Sequence, residues 1–509
     1  MTPQPSAFST PIIAALKRFR ESLGATFHTP GHNRGQQIPD CMEALIGKLP
    51  YQHDFPDLPG LSLFEADGAI TQAQDLAAQL FGAERTWFLV NGSTVGILAA
   101  ILAVCGGESA GAGMGAGVGT GKKIILPRNV HQSVISGLIL SGAMPIYVTP
   151  ESDVAWDLAY CITPESVAEA LAQHPDASAV FMVSPTYHGV CGDISAIATL
   201  AHQHGIPLIV DEAHGAHFAF HADLPQSALA AGADLVVQST HKLLAALTQS
   251  SMLHLQGSRI DADRVSRLLQ MLQSSSPSSL LLASLDAARH QMSTQGSALM
   301  AKTLQLARQV RTQLQDIAGL ALLEPPPEAT SGFITLDPTR ITVDLSALGT
   351  NGFLADEQLT HEFGVTAELP TLRQLTFIIS LGNTSEDALS LVKGLAQLTQ
   401  RSLNSRAPSP FIQEWTQRLE AITLPIVEMP SCAPRQAFFA PQESISLAAS
   451  IGRISAETIC PYPPGIPLLL PGQRITAQAI AQLQTVQALG GLILGAADPD
   501  LRQIQVVKC

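Results

Sequence analysis

Lysine is scarce in this chain, at eight of 509 residues, so a lysine inside a patterned segment is conspicuous. The seven cysteines, at 41, 105, 161, 191, 432, 460 and 509, are odd in number and form no CxxC pair. That spacing argues against a disulfide framework and reads as buried thiols in a reducing compartment. No metal site is assigned. Apolar runs of membrane-spanning length are also missing: SSLLLASLDAA is too short. In MTPQPSAFSTPIIAALKRFRE the apolar run is too brief for a secretion signal, and the basic residues follow it instead of preceding it. A soluble, cytoplasmic protein is expected. The formal net charge of −14 disfavours nonspecific association with nucleic acid or anionic membrane, so neither is expected as a partner.

The Gly-rich stretch AGAGMGAGVGTGKKIILP (110–127) lacks what a nucleotide loop requires. Counting back from Gly121 puts Ala116 in the first glycine position of a P-loop, and Lys123 stands where the magnesium-binding hydroxyl belongs. A strand-like run follows, whereas phosphate binding needs a helix N-terminus there. Residues 106–121 read as a surface insertion.

With 46% hydrophobic residues, the chain can fill two or three packed units. Between about 61 and 273, short runs rich in Val and Ile alternate with helical patterns: TWFLV (86–90), KIILP (123–127), MPIYV (144–148), SAVFMVS (178–184), GIPLIVD (205–211) and ADLVVQS (233–239). TPESVAEALAQHP opens with an N-cap threonine and a first-turn proline. This rhythm predicts an α/β domain with a mostly parallel sheet. One or two long helices are expected over 284–320, then alternating strand-like segments of a smaller α+β domain to about 400. QRSLNSRAPSP (400–410) reads as a linker, and the last unit carries the Pro-rich PYPPGIPLLLPG. The expected divisions are an N-terminal segment (1–58), a large domain (59–290), a small α+β domain (291–400) and a C-terminal domain (411–509).

Three strand ends collect chemistry. After TWFLV, the turn Asn91-Gly92-Ser93-Thr94 opens an apolar helix whose N–H groups and hydroxyls can clamp a phosphate. Taken alone, this is also what a serine N-cap after a turn looks like. Asp211 follows a buried-looking strand, and Ser239, His241 and Lys242 follow the next one. Carboxyl ends of parallel strands are where α/β enzymes gather their reacting groups. A phosphate cradle, a carboxylate and an amine match pyridoxal 5′-phosphate, with Lys242 forming the covalent link and Asp211 pairing with the pyridine nitrogen.

In this order the segments resemble the bacterial-type Orn/Lys/Arg decarboxylases, which use pyridoxal phosphate. They are FHTPGHNRG (27–35), PGLSLFEADGAITQAQDLAAQLFGAERTWFLVNGST (59–94), PRNVHQS (127–133), SPTYHG (184–189), VDEAHGAHF (210–218), STHK (239–242) and IGRISAETICPYPPGIPLLLPG (451–472). The resemblance covers nearly the whole chain. It implies the PLP-dependent transferase fold type I: a large domain with a mostly parallel sheet of the seven-stranded type, and smaller α+β domains after it. It also implies that Lys242 is the Schiff-base lysine, Asp211 the ring-nitrogen partner and His131 the residue stacked on the ring. Ala213 then lies on the opposite face with His214 nearby. Asn91, Gly92, Ser93 and Thr94 belong to the phosphate segment, and Ser239 and His241 sit beside phosphate and lysine. Asn33, Gln132, His188 and Gln473 depart from the family's usual residues, and residues 106–121 are additional to it.

The implied reaction is decarboxylation of a basic L-amino acid, with arginine favoured over lysine and ornithine by the similarity to the smaller, biosynthetic type. Glu368 and Glu457 are the candidate partners for the substrate's distal cation. Two other readings use the same parts. One is an aminotransferase, with Arg373, Arg453 or Arg474 holding the substrate carboxylate. The other is a pyridoxal phosphate-binding protein without catalysis. A homodimer or dimer-based oligomer is expected, with active sites completed between subunits.

Overall fold

The structure is a computed structural model that describes residues 9–22, 24–56, 60–63, 65, 67–106, 121–153, 155–404, 427–462, 467–488 and 492–508. Outside the described residues lie nearly all of the Gly-rich insertion, most of the expected linker, the centre of the Pro-rich run and Cys509.

The central strands, in chain order, are β1 (Arg85–Leu89), β2 (Lys123–Pro127), β3 (Met144–Val148), β4 (Ala177–Val183), β5 (Leu208–Asp211), β6 (Leu235–Gln238), β7 (Ser251–Leu255) and β8 (Val427–Glu428). Helices between and after them include α1 (Ala69–Phe81), α2 (Gly92–Cys105), α3 (Gln132–Ser141), α4 (Thr240–Leu243) and α5 (Ser279–Gln315). Contacts divide the chain into two units, Met1–Ala103 with Val210–Met300, and Val104–Ile209 with Ala301–Cys509. The division falls inside β5. In the first unit the strand order is β1-β7-β6-β5, and in the second it is β5-β4-β2-β3-β8. β2 runs parallel to β3 and β4, β7 is antiparallel to β1 and β6, and β8 is antiparallel to β3. The architecture is α/β with a large, mostly parallel sheet.

The six apolar runs of the sequence correspond to β1–β6. β7, SMLHL, is not among them, because Ser251 and His254 break its apolar character although all five residues are buried. KIILP is the strand β2, so the Gly-rich stretch leads into a strand and not into a phosphate-facing helix.

In the first unit α2 is apolar on every side, as a helix enclosed by other elements must be. Its approach to the sheet requires Gly96. A Cβ there would meet Leu89 Cδ1 at 2.8 Å and Val237 Cγ1 at 3.0 Å. The start of α2 is thereby set directly against β1 and β6.

In the second unit, strands Ala321–Leu322, Arg340–Asp344, Gln374–Ile378 and Leu369–Pro370 form an antiparallel sheet in that order. Its core joins Ile341, Val343, Leu375 and Phe377 to Ala307, Val310 and Leu314 of α5. Further on, Gln442–Ser446 pairs with Gln503–Val507 over a cluster containing Leu447, Ile459, Leu483 and Ile504. Among the described residues no helix is long and apolar enough to cross a membrane.

Gly96→Val is expected to lower unfolding stability by about 1–3 kcal/mol through overpacking against Leu89 and Val237. Chemical denaturation of the two proteins checks this, and equal midpoints would show that α2 can move away at no cost.

Candidate functional site

In the first unit, β1 runs into Val90 and the turn at Asn91 and Gly92. Gly92 has φ +77°, a conformation glycine adopts without penalty, and its N–H donates to the Gln249 carbonyl at 3.0 Å. Asn91 Oδ1 accepts from Ser274 N at 3.2 Å and pins the other side of the turn. The first N–H groups of α2 have no partner within the helix. At that mouth Ser93 is half-buried and Thr94 exposed, so the helix start is open to solvent.

β6 ends at Gln238, and the chain enters the single turn α4. Ser239 occupies the N-cap position without making a side-chain cap bond. It is fully buried, and neither its Oγ nor Thr240 Oγ1 has a hydrogen-bond partner. Each unsatisfied buried hydroxyl costs roughly 1–3 kcal/mol, which an anionic oxygen at this turn would recover. His241 donates twice to the Ser250 carbonyl, from its backbone N at 3.2 Å and from Nδ1 at 2.9 Å. Gln249 and Ser250 therefore tie the α2 mouth to α4. Lys242 Nζ lies 2.8 Å from His214 Nε2.

β5 ends at Asp211, which is 7% exposed, and Asp211 Oδ1 accepts from Ala213 N at 3.1 Å. Ala213 and His214 are buried beside it. The next residue, Glu212, is not singled out by the sequence. Its carboxylate is fully buried and accepts from Gln238 Nε2 at 2.6 Å and from Ala228 N at 2.7 Å. Burial pushes its carboxyl up to about 8, opposed by those two bonds. Gln238 Oε1 is 3.2 Å from His254 Nε2, and His254 Nδ1 is 2.8 Å from Thr86 Oγ1. Burial pushes His254 down to about 3, so its ring is neutral. A second acid directly after a buried strand was the available signal for Glu212. Its partners lie too far along the chain to be read from spacing.

The structure thus brings Asn91–Thr94, Asp211, Ala213, His214, Ser239, His241 and Lys242 into one unit. His131, Glu368 and Glu457 belong to the second. His131 caps α3, its Nδ1 accepting from Ser133 N at 3.2 Å, and its ring is exposed. Glu368 is exposed. Glu457 is 8% exposed, and each carboxylate oxygen accepts a backbone N–H, from Ala497 at 2.8 Å and Gln505 at 2.9 Å. That carboxylate braces its own domain. Gln473 Oε1 accepts from Arg128 Nη2 at 3.2 Å, while Arg128 Nη1 pairs with Glu428 at 3.0 Å. Arg373 pairs with Asp344 at 3.3 Å. His188 is buried with Nδ1 2.9 Å from Thr376 Oγ1, and burial, then the Arg340 guanidinium, lowers its ring to about 4. Asn33, in the first unit, holds a left-handed backbone at φ +44°. Among the described residues no group of three or more His, Cys, Asp or Glu side chains could hold a metal ion.

Residues 10–387 match the family described as Orn/Lys/Arg decarboxylase, major domain, and residues 416–493 match Orn/Lys/Arg decarboxylase, C-terminal domain. An arginine decarboxylase of Bacillus subtilis (strain 168) is 37% identical over 504 residues, covering 99% of each chain. An arginine decarboxylase of Halalkalibacterium halodurans is 36% identical over 503 residues, covering 98% of each. The crystal structure of a lysine decarboxylase from Francisella novicida superposes with a TM-score of 0.81 at 22% identity, over 98% of this chain and 81% of that one. That last likeness is one of fold.

A pH dependence follows from His188. Its folded pKa, about 4, lies below its ordinary 6.5, so the unfolded chain binds a proton that the folded chain refuses. The stability it contributes is present above 6.5 and is lost as pH falls through that range towards 4. His188→Gln is expected to flatten this acid limb in denaturation curves taken across the range. An unchanged slope would show that His188 does not titrate on unfolding.

Proposed function

The chain belongs to the Orn/Lys/Arg decarboxylase family, and from this we propose that it converts arginine to agmatine and CO2 with pyridoxal 5′-phosphate as cofactor. The observation that carries the cofactor reading is the convergence, in one unit, of an open helix start, two buried unsatisfied hydroxyls, a strand-end carboxylate and the Lys242 amine. Arginine is favoured over lysine and ornithine because relatives at 35–37% identity over nearly the full chain are arginine decarboxylases.

When bound, the cofactor supplies an aldehyde for an amine and a ring that accepts the electron pair released as the carboxylate leaves. The protein's residues divide the remaining work. Ser93, Thr94, the first N–H groups of α2 and Ser239 would hold the phosphate, and Asn91 and Gly92 shape the turn that presents them. Lys242 would be the residue that holds the cofactor covalently, and His214 would take or return a proton at Nε2, the atom that faces Lys242 Nζ. Asp211, buried at the strand end, would pair with the ring nitrogen and favour its protonated form. Ala213 would leave room for the ring beside Asp211, His131 remains the proposed stacking residue, and His241 holds α4 in place. Glu368 and Glu457 remain the proposed partners for the substrate's distal cation, and Glu457 would have to serve while its oxygens keep their backbone bonds. The protein works as a cytoplasmic homodimer or dimer-based oligomer with sites completed between subunits. The exposed Phe27, Leu45 and Leu49 of the N-terminal segment support this, since large apolar side chains left to solvent mark contact surfaces.

Lys242→Ala is expected to release no CO2 and to retain no cofactor after borohydride reduction, and wild-type turnover in that variant would end the assignment. Asp211→Asn is expected to lower kcat by about a hundredfold or more. For wild type, kcat/KM for arginine is expected to exceed that for lysine and ornithine by roughly tenfold or more. A preference for either of the other two would overturn the substrate choice and leave the reaction class intact.

A further inference from the structure

We propose that Glu212 is a positioning residue for the cofactor: its buried carboxylate crosslinks the ends of β5 and β6 and so sets the spacing between Asp211 and the Ser239–Lys242 turn. The inference rests on the cofactor reading above and assigns a role to a residue that reading does not use. The backbone bond from Glu212 N to Val237 O, at 2.9 Å, is the last rung between these two segments. Beyond it the chains part, one into the turn through Ala213 and His214, the other into α4. Among the described residues no backbone bond beyond it links the Ala213–His214 turn to α4. The Glu212 side chain takes over at that point. One carboxylate oxygen receives Gln238 Nε2 at 2.6 Å and the other receives Ala228 N at 2.7 Å, so three separate segments converge on one group. Asp211 is the residue before Glu212, and Ser239 is the residue after Gln238. With one bond on each oxygen, the group is fixed between both neighbouring segments, which suits a crosslink meant to hold a distance.

The bonds behind this crosslink make the acceptor pattern, and not only the shape, of Glu212 matter. Glu212, Gln238, His254 and Thr86 are all at most 3% exposed. The neutral His254 ring has one donor and one acceptor. With an acceptor at position 212 the chain runs one way: Thr86 Oγ1–H to His254 Nδ1, His254 Nε2–H to Gln238 Oε1, Gln238 Nε2–H to the carboxylate. An amide at position 212 keeps the volume but sets one NH2 against another. Relief requires Gln238 to turn over and His254 to change tautomer, which disturbs the chain as far as Thr86.

The experiment compares Glu212→Gln with Thr86→Val. The latter breaks the same chain at its far end, at the start of β1, away from the strand ends that carry the site. Apoprotein is titrated with pyridoxal phosphate by fluorescence, and the visible absorbance of the bound cofactor is followed against pH. Glu212→Gln is expected to weaken cofactor binding by about tenfold or more. It is also expected to move the midpoint of the absorbance titration by about one pH unit. Thr86→Val is expected to change both little, even where its melting temperature falls as far. Gln238→Leu removes the same crosslink and serves where Glu212→Gln does not fold. If cofactor affinity follows melting temperature across the variants, Glu212 is only structural and the inference fails. Wild-type affinity and titration in Glu212→Gln, beside a wild type that binds pyridoxal phosphate, overturn this inference alone. A wild type that binds none overturns the cofactor reading and this inference with it.

Discussion

A β-strand satisfies its backbone through its neighbours only until it ends, and past that point each segment must find other partners or remain undefined. The first unit is organised around this constraint. Where β1 stops, Gly92 gives its N–H to Gln249 and Asn91 takes the N–H of Ser274. At the end of β6, His241 turns back to Ser250, and at the end of β5 Asp211 accepts from Ala213. Each strand end is closed by a short bond of its own, and the groups of the candidate site stand on these closures. Ser239 and Thr240 are the exceptions, both buried with hydroxyls left unsatisfied.

Burial without an opposite charge is the second theme. Glu212 is pushed up, and His254 and His188 are pushed down, each mainly by loss of water. Each also has a hydrogen-bond partner of its own, so the neutral forms of the histidines are tolerated in the core. An acidic protein with few lysines has placed one of them, Lys242, against a buried imidazole.

Local signals made much of this legible. Short Val- and Ile-rich runs gave β1 to β6 because a strand enclosed on both faces needs little but apolar side chains. Asn91-Gly92, Asp211 and Ser239–Lys242 could be singled out because each directly follows such a run. What stayed hidden depends on distance along the chain. Gln238 reaches Glu212 from 26 residues away, and Thr86 reaches His254 across 168. Glu457 could be seen as an acid in a patterned segment. That its oxygens hold the backbone of Ala497 and Gln505, 40 and 48 residues further on, is a fact of the folded domain alone. β7 was missed for a related reason: its serine and histidine look like loop residues until the buried partner of His254 is known.

The antiparallel pairing of β1 with β7 joins Arg85 to Leu255, with the whole of β2 to β6 between them in the chain. As the protein leaves the ribosome, β1 emerges long before the strand it pairs with. Loop closure of that span must be met before the pairing repays it, so the first unit cannot settle early in synthesis. The apolar helix α2, made directly after β1, must wait with it. Until residue 255 has been made, that continuous hydrophobic segment lacks the strand that completes its sheet.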